Sequence, residues 1–453
     1  MIISSISGIR GTIGGKAGEN LTPIDVVKFA SGYGSFVNSK YQHPTIVIGR
    51  DARQSGEGIS QLIMHTLCAQ GINVINAGLV PTPTLAMAVV DMKAQGGIII
   101  TASHNPKEYN GIKMLNHEGE FLSDEEGKEI LSNISEGNIE YCDTEHLGSV
   151  SPYPDAINVH VKKILALDIV NQKLIASKNF SVVFDPINSV GAIAVPILLD
   201  ALGVTYRGIN DIPDGNFAHA PEPLEKNLTQ LKEEVAKDNI SFGISVDPDV
   251  DRLVLVCEDG TMFGEERTLV SAADIVLSHT KGSVVTNVSS SQASSDISKR
   301  YGMNIFQSKV GEKNVVEKMK EVHAVIGGEG SGGVIYPELH YGRDALVGIA
   351  LVLTLLAERD TTLLELSKTY PSYYMSKKSV TLEGVNVQET YQRIVDNIQE
   401  GVLDTQDGVK ITFEDSWVQL RASNTEPIIR IYTEATTQEY ADELAEMYVK
   451  KIF

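Results

Sequence analysis

Positive charge is scarce in this chain. Its 38 lysines and arginines are outnumbered by 59 aspartates and glutamates, for a formal net charge of -21. That balance excludes nucleic acid or an anionic membrane as the main partner, because both require a Lys/Arg field. Phosphorylated small molecules stay open, since a few local cations, helix N-termini and a divalent metal hold phosphate inside an acidic protein. Cysteine is scarcer still. Cys68, Cys142 and Cys257 show no C-x-x-C spacing, which argues against a disulfide framework and fits a reducing compartment. Cys68 and Cys257 sit in apolar runs and are expected to be buried thiols. No run approaches the ~20 apolar residues that span a bilayer. The first eight residues lack a basic segment and a long apolar stretch, so no signal peptide is expected and the expected location is the cytoplasm. Two nucleophile and nucleotide signatures are also missing: no G-x-S-x-G surrounds any serine of interest, and no G-x-x-x-x-G-K-[ST] occurs.

What is present is an ordinary globular balance, 42% hydrophobic and 21% charged over 453 residues, enough for about three or four domains. Strand-like and helix-like segments alternate. Thr22, Pro23 and Asp25 open a helix whose apolar face continues through Val26, Phe29, Ala30 and Tyr33. A buried strand over 45–49 leads to Arg50-Asp51-Ala52-Arg53, a helix is expected over 58–70, and Pro81-Thr82-Pro83 reads as a turn. Strand 97–101 runs into Ala102-Ser103-His104-Asn105-Pro106, strand 180–184 into Asp185, and strand 242–246 into Asp247. Apolar strands that end in polar loops, with helices between, predict parallel or mixed sheets covered on both faces. Ligands gather at the carboxyl ends of such strands. The small-residue stretch Gly148-Ser149-Val150-Ser151-Pro152 reads as a linker. The units expected are residues 1–152, 153–256, 257–369 and 370–453, the last a smaller α+β module carrying Trp417.

Four constellations carry chemistry. Asp247, Asp249 and Asp251 alternate and can converge on one hard cation, for which oxygen ligands suit Mg²⁺. The spacing also begins like an EF-hand, but Arg252 stands where such a loop needs glycine, and a strand follows. Ser103 just past a buried strand is a candidate nucleophile or phosphate carrier, with His104 and Lys113 near in sequence; on residues alone, Ser-His-Asn-Pro reads equally as a turn. Gly327 to Gly333 (GGEGSGG) places Glu329 and Ser331 in a glycine-dense loop, either a flexible connection or a contact for a polyhydroxylated ligand. Arg421, Ser423, Asn424 and Thr425, with Arg430 on the following strand, offer the clustered donors a phosphate dianion needs. Arg10 in a glycine-rich turn and Lys309 read either as further site cations or as solvated surface charge.

Together these loops resemble the α-D-phosphohexomutase family from end to end, since the phosphoserine, metal, sugar and phosphate loops all occur in family order. The resemblance implies an α/β fold with four-domain architecture: three mixed-sheet α/β domains plus a smaller C-terminal α+β domain around a central cleft. It implies that Ser103 carries the phosphoryl group, and that Asp247, Asp249 and Asp251, with an oxygen of the Ser103 phosphate, hold Mg²⁺. Lys113 and His104 become acid/base and charge-stabilising groups. Arg10 lies near the phosphoserine, and Arg252 and Lys309 face the substrate. Glu329 and Ser331 contact sugar hydroxyls, and Arg421, Ser423, Asn424, Thr425 and Arg430 bind the phosphate that is not transferring. The activity implied is interconversion of hexose 6-phosphate and hexose 1-phosphate through a bisphosphorylated intermediate, by a monomer or homodimer. Length and the Ser-type loop resemble phosphoglucosamine mutases most, with phosphomannomutases and phosphoglucomutases as runners-up. One departure stands out: many members end the sugar loop in Ser-Gly-His, and here Gly333 replaces the histidine, with His340 a candidate substitute. Two readings of another class remain. A metal-dependent sugar phosphatase would not need the Arg421 loop, and a non-catalytic sugar-phosphate sensor would not need Ser103.

Overall fold

The structure is a computed structural model that describes residues 2–5, 8–237, 239–381, 386–398, 400–423 and 428–452. Four sheets follow one another along the chain, of seven, four, four and five strands. In the first, strand Thr45–Arg50 lies parallel to both Asn73–Leu79 and Gly96–Ile100, and Gly96–Ile100 pairs antiparallel with Tyr109–Leu115. Its three isoleucines, Ile98 to Ile100, are fully buried, as expected for a central strand covered on both faces. The second sheet pairs Phe242–Val246 parallel to Ser181–Asp185 and antiparallel to Leu253–Cys257. The third pairs Ile326–Glu329 parallel to Val284–Asn287 and antiparallel to Gly333–Ile335. The fourth is antiparallel throughout and includes the pair Ser416–Ala422 and Ile428–Ala435.

The sheets are therefore mixed, and the mixture has a pattern. Each of the four loops singled out above joins two antiparallel neighbours. The ladder bonds of a hairpin fix both ends of its loop, so these four loops start and finish at set points.

The first three sheets share one apolar core. Val47 and Ile99 belong to the same packed cluster as Phe184, Ile244 and Leu255, and as Val284, Ile326 and Val334. Helix Ala345–Arg359 runs through it, buried from Ala345 to Ala357. The fourth sheet has its own core, built from Ile411, Val418, Leu420, Ile429 and Ile431 under helix Gln438–Ile452. Cys68 and Cys257 are buried.

Three local expectations change. Arg10 does not sit in a turn: it lies in strand Gly8–Thr12, antiparallel to Tyr109–Leu115. Pro81-Thr82-Pro83 does not form a free turn: it opens helix Thr82–Asp91, because proline lacks only an N–H that the first helical turn leaves unpaired anyway. The Gly148–Pro152 stretch is not a loose linker. Val150–Pro152 adds to the edge of the first sheet beside Asn73–Leu79.

Candidate active site

Ser103 lies in the hairpin loop after Gly96–Ile100, nearly buried and with a left-handed backbone (φ 48°). Only a surrounding framework sustains that conformation in a non-glycine residue. The framework is Arg53. Its guanidinium donates to the carbonyls of Ser103 (2.6 Å), Asn105 (2.7 Å), Pro106 (2.6 Å) and Tyr109 (2.9 Å). Asp51 pairs with Arg53 Nε at 3.1 Å and accepts from Thr101 Oγ1 at 2.6 Å. Thr101 Oγ1 in turn accepts the Ser103 N–H at 2.9 Å.

The Ser103 hydroxyl donates to Asp247 Oδ2 at 2.9 Å, across 144 residues of sequence, and lies 3.4 Å from His104 Nδ1. Asp247, Asp249 and Asp251 are fully buried and bring one oxygen each to within 4.8 Å of one another. Their loop turns at Val250, whose φ of 60° is unusual for a β-branched residue. Asp247 Oδ1 accepts the N–H groups of Asp251 (3.1 Å) and Arg252 (3.2 Å), and Ala345 N–H donates to the Val250 carbonyl at 3.1 Å. The EF-hand alternative ends here, since the chain continues as strand Leu253–Cys257.

Three buried carboxylates repel one another. Burial, with Asp251 and Asp249 alongside, pushes the Asp247 carboxyl well above the usual range. Burial acts the same way on Asp249, but Lys113 (Nζ–Oδ2 2.8 Å) and Thr82 (Oγ1–Oδ2 2.8 Å) outweigh it and hold Asp249 low. Asp249 Oδ1 and Asp251 Oδ1 are buried with no hydrogen-bond partner among the described residues. Buried acceptors are normally satisfied, and a cation between these oxygens answers both orphans and the repulsion. The triad can hold a metal ion.

Cations crowd the same region. Arg10 Nη1 donates to Asn105 Oδ1 at 2.8 Å. Arg252 lies 3.9 Å from Asp251 and 3.8 Å from Glu222, and its buried Nε makes no hydrogen bond among the described residues. Burial lowers the His104 imidazole, and Arg252, Arg10 and Arg343 add to this, taking it down to about 3. His104 is thus neutral at physiological pH.

The third hairpin carries Glu329, whose Oε1 accepts from Asn287 (2.9 Å) and Gly311 N–H (3.0 Å) and whose Oε2 accepts from Arg343 (2.9 Å). Burial raises its carboxyl, but Arg343, Asn287 and Gly311 more than offset this and keep it below the usual range. Ser331 sits half-buried in the same loop, and Lys309 is exposed after strand Ile305–Ser308. His340, the candidate substitute for the missing histidine, instead faces Asp344 Oδ2 at 3.3 Å and stacks edge-on to His160. On the fourth hairpin, Arg421 and Arg430 stand opposite each other, and Arg421 lies 3.5 Å from Asp407. Ser423 N–H closes the hairpin onto the Ile428 carbonyl. Asn424 and Thr425 lie outside the described residues.

Sequence reasoning missed Arg53, Asp51, Thr82 and Arg343. Asp51 and Arg53 had a signal, since they form the polar tail of a buried strand, the same rule that picked out Ser103 and Asp247. Arg343 precedes a long apolar helix and had none.

The chain matches the phosphoglucomutase/phosphomannomutase models along nearly its full length: alpha/beta/alpha domain I over residues 3–139, domain II over 158–260, domain III over 264–374 and the C-terminal domain over 384–451. A phosphoglucomutase/phosphomannomutase from Thermococcus kodakarensis is 35% identical, covering 98% of this chain and 96% of its own. A phosphoglucosamine/phosphogalactosamine mutase from Sulfurisphaera tokodaii is 34% identical, covering 96% of each. A solved phosphoglucomutase/phosphomannomutase family protein from Burkholderia thailandensis superposes with a TM-score of 0.85 at 25% identity, covering 98% of this chain and 95% of that one. A four-sheet α/β protein with a buried carboxylate triad beside a serine is thus what fold and site define, and the chain belongs to the phosphoglucomutase/phosphomannomutase family, the α-D-phosphohexomutases. Among the described residues no helix is long and apolar enough to cross a membrane.

Proposed function

We propose that the protein is a phosphohexomutase that interconverts a hexose 6-phosphate and the matching hexose 1-phosphate. The observation that carries this is the Ser103 hydroxyl 2.9 Å from Asp247, beside two buried orphan carboxylate oxygens. In this reading Ser103 carries a phosphoryl group. The bond from Ser103 Oγ to phosphorus breaks as one forms to a free sugar hydroxyl, whose proton leaves to a neighbouring base. The resulting bisphosphate turns over in the cleft, and its other phosphoryl group returns to Ser103.

The chain's residues divide the work. Neutral His104 lies beside Ser103 and can hydrogen-bond the moving group without adding charge of its own. Lys113, kept cationic despite burial by Asp249 and Asp251, stabilises charge on the moving group, as do Arg10 and Arg252. Asp247, Asp249 and Asp251 would hold Mg²⁺, whose preference is for hard oxygen ligands. A bound Mg²⁺ would neutralise charge on the phosphoryl oxygens. Glu329 and Ser331 take sugar hydroxyls, and Lys309 faces the substrate. Arg421, Ser423, Asn424, Thr425 and Arg430 hold the idle phosphate. Arg421 and Arg430 are register partners across the strand pair, so both side chains leave the same face of the fourth sheet. Each of the units 1–152, 153–256, 257–369 and 370–453 contributes one loop.

The substrate we favour is glucosamine 6-phosphate/glucosamine 1-phosphate, in line with the Sulfurisphaera relative. Glucose and mannose phosphates form the second reading, favoured by the Thermococcus relative. Intact-mass measurement is expected to find one phosphate on the wild type and none on Ser103→Ala, with turnover nearly abolished in the variant. Full activity in Ser103→Ala without phosphate would sink the mutase scheme. Comparing kcat/KM for the 1-phosphates of glucosamine, glucose and mannose decides the sugar.

A further inference from the structure

One guanidinium touches three carboxylates from three different elements. Arg343 Nη2 lies 2.6 Å from Asp251 Oδ2 on the second hairpin loop, and Nη1 lies 2.9 Å from Glu329 Oε2 at the end of strand Ile326–Glu329. Its Nε lies 3.0 Å from Glu312 Oε2, and its own N–H donates to Glu312 Oε1 at 3.1 Å. Arg343 is itself anchored through the next residue. Asp344 caps helix Ala345–Arg359 by accepting from Leu346 and Val347 N–H, and its own N–H donates to the Val334 carbonyl.

The third hairpin is shaped around this side chain. A Cβ on Gly333 would collide with Arg343 Cδ and sit 3.0 Å from Cγ and 3.5 Å from Nε, so its three nearest neighbours would all be Arg343 atoms. The Gly333 backbone lies outside the left-handed region, so conformational freedom does not explain the glycine there. Space for Arg343 does. The Asp251 carboxylate shows the consequence. Oδ2 is taken by Arg343, and Oδ1 is buried without a hydrogen bond among the described residues, so Arg343 decides which oxygen is left for a cation.

We propose that Arg343 is a positioning residue that locks Glu329 of the sugar loop to Asp251 of the metal loop, and that residue 333 is glycine to admit it. This rests on the mutase reading above for the roles of Glu329 and Asp251. A planar fork is required, because lysine offers a point charge that cannot span three carboxylates. Partners that orient metal ligands typically cost about 10–100-fold in metal affinity or activity when removed.

The test uses the whole chain and four variants: Arg343→Lys and Gly333→Ala, which keep the charge, and Arg343→Ala alone and combined with Gly333→Ala. Isothermal titration with Mg²⁺ is expected to show affinity reduced ~10-fold or more in Arg343→Lys, with KM for the hexose 1-phosphate raised alongside. Gly333→Ala should shift both the same way by a smaller factor. In an Arg343→Ala background, Gly333→Ala should then add no further change, since the obstruction is gone. Thermal melts confirm that each variant folds, and Gly333→Ala keeps the test open if an Arg343 variant does not. Wild-type Mg²⁺ affinity and KM in Arg343→Lys would overturn the proposal, and so would additive effects in the double variant. The Mg²⁺ titration reads the lock even if the wild type shows no mutase turnover, so failure of the functional reading is seen separately.

Discussion

Arg53→Met should destabilise the first unit by about 3–5 kcal/mol, the usual result of removing one member of a buried ion pair. The side chains of Arg53 and Asp51 are both inaccessible to solvent, so Asp51 would be left as an uncompensated charge. The carbonyls of Ser103, Asn105 and Tyr109 would lose this donor as well, while Pro106 keeps the Tyr109 N–H at 3.0 Å. Each orphaned carbonyl costs about 1–3 kcal/mol if it stays dry, and water entering the space left by the guanidinium reduces that toward zero. The ion-pair figure is therefore the dominant one. Urea slopes of about 1–3 kcal/mol/M turn it into a midpoint shift of at least ~1 M. Two probes separate the units. The chain's single tryptophan, Trp417, lies on the C-terminal strand Ser416–Ala422, so its emission follows the unit with its own core. Far-UV circular dichroism follows the whole chain. The expected result is an early circular-dichroism phase at lower urea with the Trp417 transition in place. A circular-dichroism midpoint within ~0.3 M of wild type, about 0.3–1 kcal/mol at those slopes, would refute the claim that Arg53 holds the Ser103 loop.

Two further outcomes are expected. Lys113→Met should lower kcat by about 10²-fold or more with KM little changed, as for loss of a group that acts on developing charge; a loss seen only in KM would reassign Lys113 to ground-state binding. Glu266 gives a pH signature. Burial pushes its carboxyl up to about 8 from an ordinary 4.5, with Lys377 and the Ser291 N–H opposing and Glu265 and Glu434 assisting. A raised folded-state value means the native form holds the proton more tightly, so this contribution to stability is full below about 4.5 and is lost as pH rises through about 8. Between those values Tm should fall more steeply with pH in the wild type than in Glu266→Gln, and equal slopes would contradict the assignment.

The sequence reveals the chemistry better than it reveals the framework. Ser103 and the alternating aspartates stand out in the sequence because each follows an apolar strand at a polar loop, and Glu329 because its loop is dense in glycine, local patterns with a physical reason. The hairpins were not. Whether the strand after a loop returns antiparallel depends on which neighbour it finds, and local alternation reads the same either way. Arg53 and Arg343 escaped for a related reason. The loops they hold lie about 50 residues away for Ser103 and 92 residues away for Asp251, so even the strand tail that marks Asp51 and Arg53 does not show what they hold. Pro81 and Pro83 misled in the opposite direction. Proline punctuates turns and also starts helices, and only the helix that follows decides between the two.

The placement of the loops follows from how the sheets are cored. Three hairpins, carrying Ser103, the aspartates and Glu329, grow from sheets that share one apolar cluster. Packed interiors resist deformation, so these loops keep their mutual distances, as the 2.9 Å Ser103–Asp247 contact and the Arg343 lock require. The fourth hairpin belongs to a separately cored unit joined to the third largely through polar contacts. Among them are Lys410 to the Val288 carbonyl (2.6 Å), Gln292 N–H to Glu434 (2.8 Å), Val310 N–H to Asp407 (2.9 Å) and Lys377 to Glu265 (2.6 Å). Polar contacts exchange with water at little net cost, whereas separating apolar faces costs about 25 cal/mol per Å². The unit that carries Arg421 and Arg430 can therefore shift against the rest far more cheaply than the first three can shift against one another. In the proposed mutase reaction, a substrate that presents either of two phosphate ends to one fixed serine would demand that division, with the reacting groups rigid and the idle phosphate held by the part that can give.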